Sequence, residues 1–343
     1  MKYIKLILST ILITSSIAIV NAADSPNKNG TAPAQFLKIG VGARAMALGG
    51  AFVAATNDAF SLYWNPAAIT KVDKVTLAGV YTNWFADINH QFFAFIIPID
   101  MNSGIGFQAT FLNMDEMEIT TIENPHGTDE YFEAYDLSIG VSYGVRLTEF
   151  FALGITGKYI EQTIYNESAS TFAMDIGSIL DIPWYSLKLG MRMSNFGGKM
   201  QLEGRDLIRE FDMNPNNTLN VGVESRLKTE PWDLPLLFQV GLAMDIMGGP
   251  DSYYPSEYNR VTISIDGSHP NDSPEFASIG LEYEYNQLVA LRGGYRLNRD
   301  IENFFYGIGL NIPLSESNFR FDYALASYND LDYIHIFSGS IDF

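Results

Sequence analysis

Tyr131-Phe132-Glu133-Ala134-Tyr135-Asp136-Leu137-Ser138-Ile139-Gly140-Val141-Ser142-Tyr143-Gly144-Val145 decides the fold. Tyr131, Tyr135, Leu137, Ile139, Val141, Tyr143 and Val145 fall on one face, interrupted only by Glu133. Phe132, Ala134, Asp136, Ser138, Gly140, Ser142 and Gly144 fall on the other. Side chains on a strand point alternately to opposite faces, so this segment predicts a ribbon with one large apolar face and one small or polar face. The same period of two recurs elsewhere. Leu236, Phe238, Val240, Leu242, Met244 and Ile246 oppose Gln239, Gly241, Ala243 and Asp245. Leu187, Leu189, Met191 and Met193 oppose Lys188, Gly190, Arg192 and Ser194. Val261, Ile263 and Ile265 oppose Thr262, Ser264 and Asp266, and Phe319, Phe321, Tyr323 and Leu325 oppose Arg320, Asp322, Ala324 and Ala326. A helix cannot place these residues on common faces.

A soluble sandwich would alternate too. Here, however, large residues line one face strand after strand, while charges, Gly, Ala and Ser line the other. A membrane barrel needs that arrangement, greasy towards lipid and polar within. Aromatics at strand ends (Phe150, Phe151, Tyr159, Tyr283, Tyr285, Phe304, Tyr306) suit interfacial girdles. Candidate strands fall near 75–84, 90–98, 104–113, 132–145, 150–162, 171–182, 186–195, 235–247, 259–267, 276–285, 288–297, 304–312, 318–328 and 335–343. A weak fifteenth at 217–226 is assigned to a loop, because a single-chain bacterial barrel needs an even count. The predicted fold is therefore all-β, a transmembrane antiparallel β-barrel of about 14 strands. The longest connections, 114–131 and 196–234, follow odd strands and are expected outside the cell; 248–258 is a periplasmic turn longer than its peers.

The N-terminus predicts export. Lys2 and Lys5 precede an apolar run, Leu6 to Val20, and small residues follow at Asn21-Ala22-Ala23, so residues 1–22 read as a signal peptide. Losing Lys2 and Lys5 takes the net charge from −19 to −21, which disfavours nucleic acid as a partner. Cysteine is absent and His numbers four. No thiolate metal site, no Ser/His/Asp triad and no cofactor motif is visible, so neither a metal, a cofactor nor an enzyme is expected. Asn65-Pro66-Ala67 matches a water-channel box only in isolation, since that fold is helical and needs two boxes.

Between signal and barrel, residues 23–72 are expected to form a periplasmic N-terminal segment followed by a lumen hatch, and they hold a Gly- and Ala-rich stretch that does not alternate. It reads as short helices and turns able to pack inside the barrel formed by 73–343, where small residues permit close approach. Gly40, Gly42, Arg44, Gly49, Gly50, Trp64, Asn65 and Pro66 are its expected structural residues. The run FLKIGVGARAMALGGAFVA (36–54), followed by Asn57-Asp58 and LYWNPAAI (62–69), resembles the N-terminus of the PorV/PorQ family of outer-membrane proteins, itself related to FadL-type fatty-acid channels. YTNWFADINHQFFAF (81–95), YFEAYDLSIGVSYG (131–144), NFGGKMQLEGRDL (195–207) and HPND (269–272) extend the likeness over nearly all the mature chain. The resemblance implies a fourteen-stranded barrel with an N-terminal hatch in its lumen. It further implies a role in type IX-type secretion, in which such a barrel holds secreted cargo through a C-terminal signal domain.

Three functions compete. One is a cargo-docking or shuttle barrel with exported proteins and other secretion components as partners; the second is a FadL-like channel for hydrophobic small molecules; the third is a purely structural barrel. Charged and amide residues in the long loops (Asp115, Glu116, Glu118, Glu203, Arg205, Asp206, Arg209, Glu210) favour a protein partner over an apolar funnel. Lipid, lipopolysaccharide and the barrel assembly machinery are expected partners in each case, the last through Phe337, Ile341 and Phe343 on the final strand. Alternation also fixes one hairpin register. If Tyr285 pairs with Val289, Glu284 opposes Ala290, and Glu282 opposes Arg292 as an inward-facing charge pair.

Overall fold

The period-two segments become the walls of a barrel in a computed structural model that describes residues 30–212, 222–329 and 332–343. The expected signal peptide lies outside those residues. Fourteen strands form the wall: β1 (Thr76–Asn83), β2 (Asn89–Asp100), β3 (Ser103–Asn113), β4 (Ala134–Arg146), β5 (Phe151–Ile164), β6 (Glu167–Ile182) and β7 (Leu187–Gly197). They continue as β8 (Leu237–Gly248), β9 (Asn259–Pro270), β10 (Phe276–Tyr285), β11 (Val289–Leu297), β12 (Phe304–Pro313), β13 (Asn318–Ser327) and β14 (Tyr333–Asp342). Each pairs antiparallel with its chain neighbour, and β1 pairs with β14 from Thr76↔Asp342 to Asn83↔His335, so no edge is left open to lipid.

Burial is inverted relative to a soluble sandwich. Along β10 and β11, Leu281 is 50% and Leu291 54% exposed, whereas Ser278, Glu282 and Arg292 are buried. Those outward Leu, Ile, Phe and Tyr side chains gain nothing in water. A hydrocarbon surround removes them from it and leaves no backbone group unpaired, because the ladder is closed. The protein is an outer-membrane barrel. Short turns such as 101–102, 147–150, 183–186, 286–288 and 314–317 lie at the end where β1 begins and β14 finishes, which is the periplasmic end.

The long loops carry ladders of their own. Met117–Glu118 pairs with Tyr131–Phe132, so the alternating segment 131–145 enters the wall only at Ala134. Glu133, which would have faced lipid, marks the boundary. Ile208–Phe211 pairs with Val223–Arg226, and Lys199–Met200 with Trp232–Asp233. The weak candidate at 217–226 therefore contributes its described end to a loop hairpin and not to the wall.

Inside the wall lie residues 34–71. They form a 3-10 turn (Gln35–Lys38), helix α1 (Ala43–Ala47), helix α2 (Ser61–Trp64) and a 3-10 helix (Pro66–Lys71). At one end Phe36 and Leu37 bury against Ile160, Ala169, Ala173, Met200 and Leu234, near the long loops. At the other, Arg146 Nη2 donates to the Thr70 carbonyl at 2.9 Å, and Lys74 Nζ donates to Glu316 O at 2.7 Å in a periplasmic turn. The chain thus runs down the lumen from the extracellular mouth. This corrects the expectation of a periplasmic segment ahead of the hatch. Residues 30–38 stand at the opposite end, held there by apolar burial and by Gln35 and Lys38 bonding Asp272 in the β9–β10 connection.

Candidate functional site: a filled lumen beneath an extracellular cavity

The hatch is fitted to the wall where lumen-facing residues are glycines. A Cβ on Gly154 would lie 2.2 Å from the Pro66 carbonyl carbon, and one on Gly294 2.2 Å from the Gly49 nitrogen. Gly144, Gly190, Gly241 and Gly280 likewise meet hatch atoms, whereas Gly140 faces Gln108 and Lys158 of the wall instead. On the hatch side, Gly42, Gly49 and Gly50 have φ of 86°, 67° and 80°, a region that disfavours L side chains. A Cβ on Gly40 would lie 2.1 Å from the Met46 Sδ, so that side chain would have to move to admit one.

Trp64 donates Nε1–H to the Val41 carbonyl at 2.7 Å and meets Phe52 edge-on. Asn65 caps the following helix by accepting from Ala67 N at 3.2 Å, with Pro66 in the first turn, where its missing N–H costs nothing. Its amide donates to Val53 O at 2.9 Å and to Ser178 O on β6 at 3.0 Å, tying hatch to wall.

Charge locks the hatch in place. The hairpin register pairs Tyr285 with Val289, Glu284 with Ala290 and Glu282 with Arg292. Glu282 Oε2 lies 2.5 Å from Arg292 Nε, and both residues face the lumen. The pair is part of something larger. Arg44 of α1 clasps both Glu282 oxygens, Nη2 to Oε1 at 2.7 Å and Nε to Oε2 at 2.8 Å, and bonds Asn57 and Asp58 as well. Arg292 in turn reaches Asp322 at 2.6 Å. Asp266 accepts from the Phe52 and Val53 amides at 2.8 and 2.9 Å, and Arg296 Nε donates to Gly49 O at 2.7 Å. Asp266 and Asp322 were visible as inward-facing positions, but which hatch atoms they or Glu282 would meet was not.

On β14, Phe337 and Ile341 face outward, and Phe343 follows with its amide bonded to Val75 O at 2.9 Å. They lie on the lipid side of the wall, while Ser338 between them faces inward and accepts from Ala43 N at 3.1 Å.

Above the hatch, towards the extracellular loops, a cavity of about 400 Å³ remains. Its floor is Gly40, Met46, Gly50, Tyr63 and Trp64; Arg192, Gln239 and Arg296 form its wall. Trp84, Phe85 and Tyr328 meet edge-to-face over it, with centroids 5.1–5.6 Å apart. Among the described residues no group of His, Asp or Glu is disposed to hold a metal.

Solved structures of the same shape include a FadL homologue from Pseudomonas aeruginosa, 13% identical with a TM-score of 0.50, covering 87% of this chain and 96% of that one. The toluene transporter TodX of Pseudomonas putida (12%, TM-score 0.54, 88% and 97%) and TbuX of Ralstonia pickettii (12%, 0.53, 88% and 97%) are also similar. At these identities the likeness shows the FadL-type fold and not a ligand. No curated protein sequence matches the chain. The family model described as type IX secretion system protein PorV matches residues 22–204, more than half of the sequence and all of the hatch. The chain belongs to the PorV family of type IX secretion system proteins.

Proposed function

We propose that this barrel docks exported proteins on its extracellular face, as a cargo-docking or shuttle component of type IX-type secretion. The observation that carries the reading is the filled lumen. Residues 34–71 occupy it from the periplasmic turns to the mouth, and the Arg44 network anchors them, so the working surface is the rim. There the connections 114–133 and 198–236 project ladders with exposed apolar residues (Ile122, Ile208, Phe211, Trp232) among charges. Aromatic and aliphatic anchors in a polar rim suit a protein partner. Exported proteins and other secretion components are the partners this reading requires; lipid and lipopolysaccharide surround the apolar wall. Affinity purification of the tagged barrel from cells of its own species should bring down several exported proteins with one shared C-terminal domain. Recovery of none, with the barrel intact, overturns the reading.

The FadL-type fold and the cavity favour a second reading, a channel for hydrophobic small molecules, which demands that the hatch move. We also propose that Phe337, Ile341 and Phe343 are read by the barrel assembly machinery. Phe343→Ala is then expected to lower the amount of heat-modifiable barrel in the outer membrane, and an unchanged level contradicts this.

A further inference from the structure

We propose that the extracellular cavity binds a small carboxylate carried on a flat apolar body, such as an aromatic acid. The inference goes beyond protein docking and does not depend on it. Its first ground is charge. The whole chain has a net charge of −19, yet the cavity lining holds Lys38, Arg192, Arg296 and Arg299 against only Asp300 and Glu302. A local excess of cations inside an acidic protein attracts an anion that the rest of the surface repels.

The second ground is what those cations already touch. Lys38 is held by both oxygens of Asp272, at 3.0 and 2.8 Å, and Arg296 is spent on Gly49 O and on Glu302 at 2.7 Å. Arg192 differs. It is 3% exposed, donates to the Tyr63 carbonyl, lies over the Tyr63 and Trp64 rings at 5.0 and 5.2 Å, and makes no ion pair among the described residues. Arg299 stacks at 4.2 Å on Phe276 and has only a long 3.6 Å approach to Glu302. Asp266 acts on Arg192 only at longer range, and the Arg192 Nε is buried with no hydrogen-bond partner among the described residues. A buried guanidinium with an unmet donor is costly, and a planar carboxylate matches its fork of donors.

The third ground is shape. Tyr63 and Trp64 lie below and Trp84, Phe85 and Tyr328 above, so a flat apolar group entering beside Arg192 meets aromatic faces and edges on two sides. About 400 Å³ suits a one- or two-ring acid and is at the small end of ligand sites.

The probe is sodium 2-naphthoate, titrated calorimetrically into the full chain in detergent, with 2-naphthamide and inorganic phosphate as comparisons. Naphthoate should bind, the amide about tenfold more weakly for want of a charge-assisted hydrogen bond, and phosphate not measurably. Arg192→Gln should weaken naphthoate by about tenfold or more. Because Arg192 also touches the hatch backbone, Arg299→Gln and Trp84→Ala provide independent variants, each expected to weaken binding in a barrel of normal heat-modifiable mobility. Absence of naphthoate binding overturns the proposal. So does equal affinity for acid and amide, phosphate binding as tight as naphthoate, or unchanged affinity in all three variants. Loss of cargo in an affinity purification would leave these results untouched, so the two readings fail separately.

Discussion

Glu282→Ala is expected to destabilise the barrel by about 3–5 kcal/mol in urea unfolding in detergent, because it takes from two buried arginines the carboxylate they share. Arg44 would keep Asp58 and Arg292 would keep Asp322, but the carboxylate that joins α1 to the wall would be gone. By contrast, Asp233→Ala, which breaks the exposed Lys199 pair at the rim, should cost less than about 1 kcal/mol. A double-mutant cycle on Glu282→Gln and Arg292→Gln should show strong coupling, and strictly additive losses would mean no pairing. Arg44→Ala removes the hatch's half of the clasp and should raise ionic conductance in planar bilayers, where the wild-type barrel stays closed. A Glu282→Ala protein within about 1 kcal/mol of wild type would show that the network does not hold the hatch.

The second large effect is topological. The chain has no cysteine, so single cysteines report position without background. Thr31→Cys, exposed at the extracellular mouth, should react with a membrane-impermeant maleimide on intact cells. Ser315→Cys, exposed in the β12–β13 turn, should react only after the outer membrane is permeabilised. Ala47→Cys and Ala67→Cys, each 0% exposed in the folded protein, should stay unreactive until it is unfolded. Labelling of position 31 only after permeabilisation would reverse the direction in which the hatch runs. Free labelling at 47 or 67 would remove the hatch from the lumen.

The wall was legible because lipid imposes a rule that acts residue by residue. Each large side chain on β4 or β13 had to face out and each small or charged one in, so strand positions and the Glu282–Arg292 register could be read from alternation alone. The hatch obeys no period. Its path is set by contacts over more than 200 residues of sequence, such as Arg44 to Glu282, Phe52 N to Asp266, and Gly49 to Tyr295 and Arg296. Glycine and alanine revealed that residues 34–70 could pack closely, but not which strand each would meet. The same limit hid the cavity. Lys38, Arg192, Arg296 and Arg299 are scattered through the chain, and only the closed barrel gathers them. The loop ladders were missed for a simpler reason: in water Ile208–Phe211 and Val223–Arg226 need no alternation to pair.

The claim that this barrel works from its outer rim is tested most directly by cross-linking in living cells. A photoreactive phenylalanine analogue at Ile122, 97% exposed in the 114–133 connection, should on irradiation give adducts with exported proteins. The same group at Leu314, in the periplasmic β12–β13 turn, should give none of them. Adducts at Leu314 but not at Ile122, or none at either position while uptake of a hydrophobic solute depends on the protein, would contradict docking at the rim and leave the channel reading in its place.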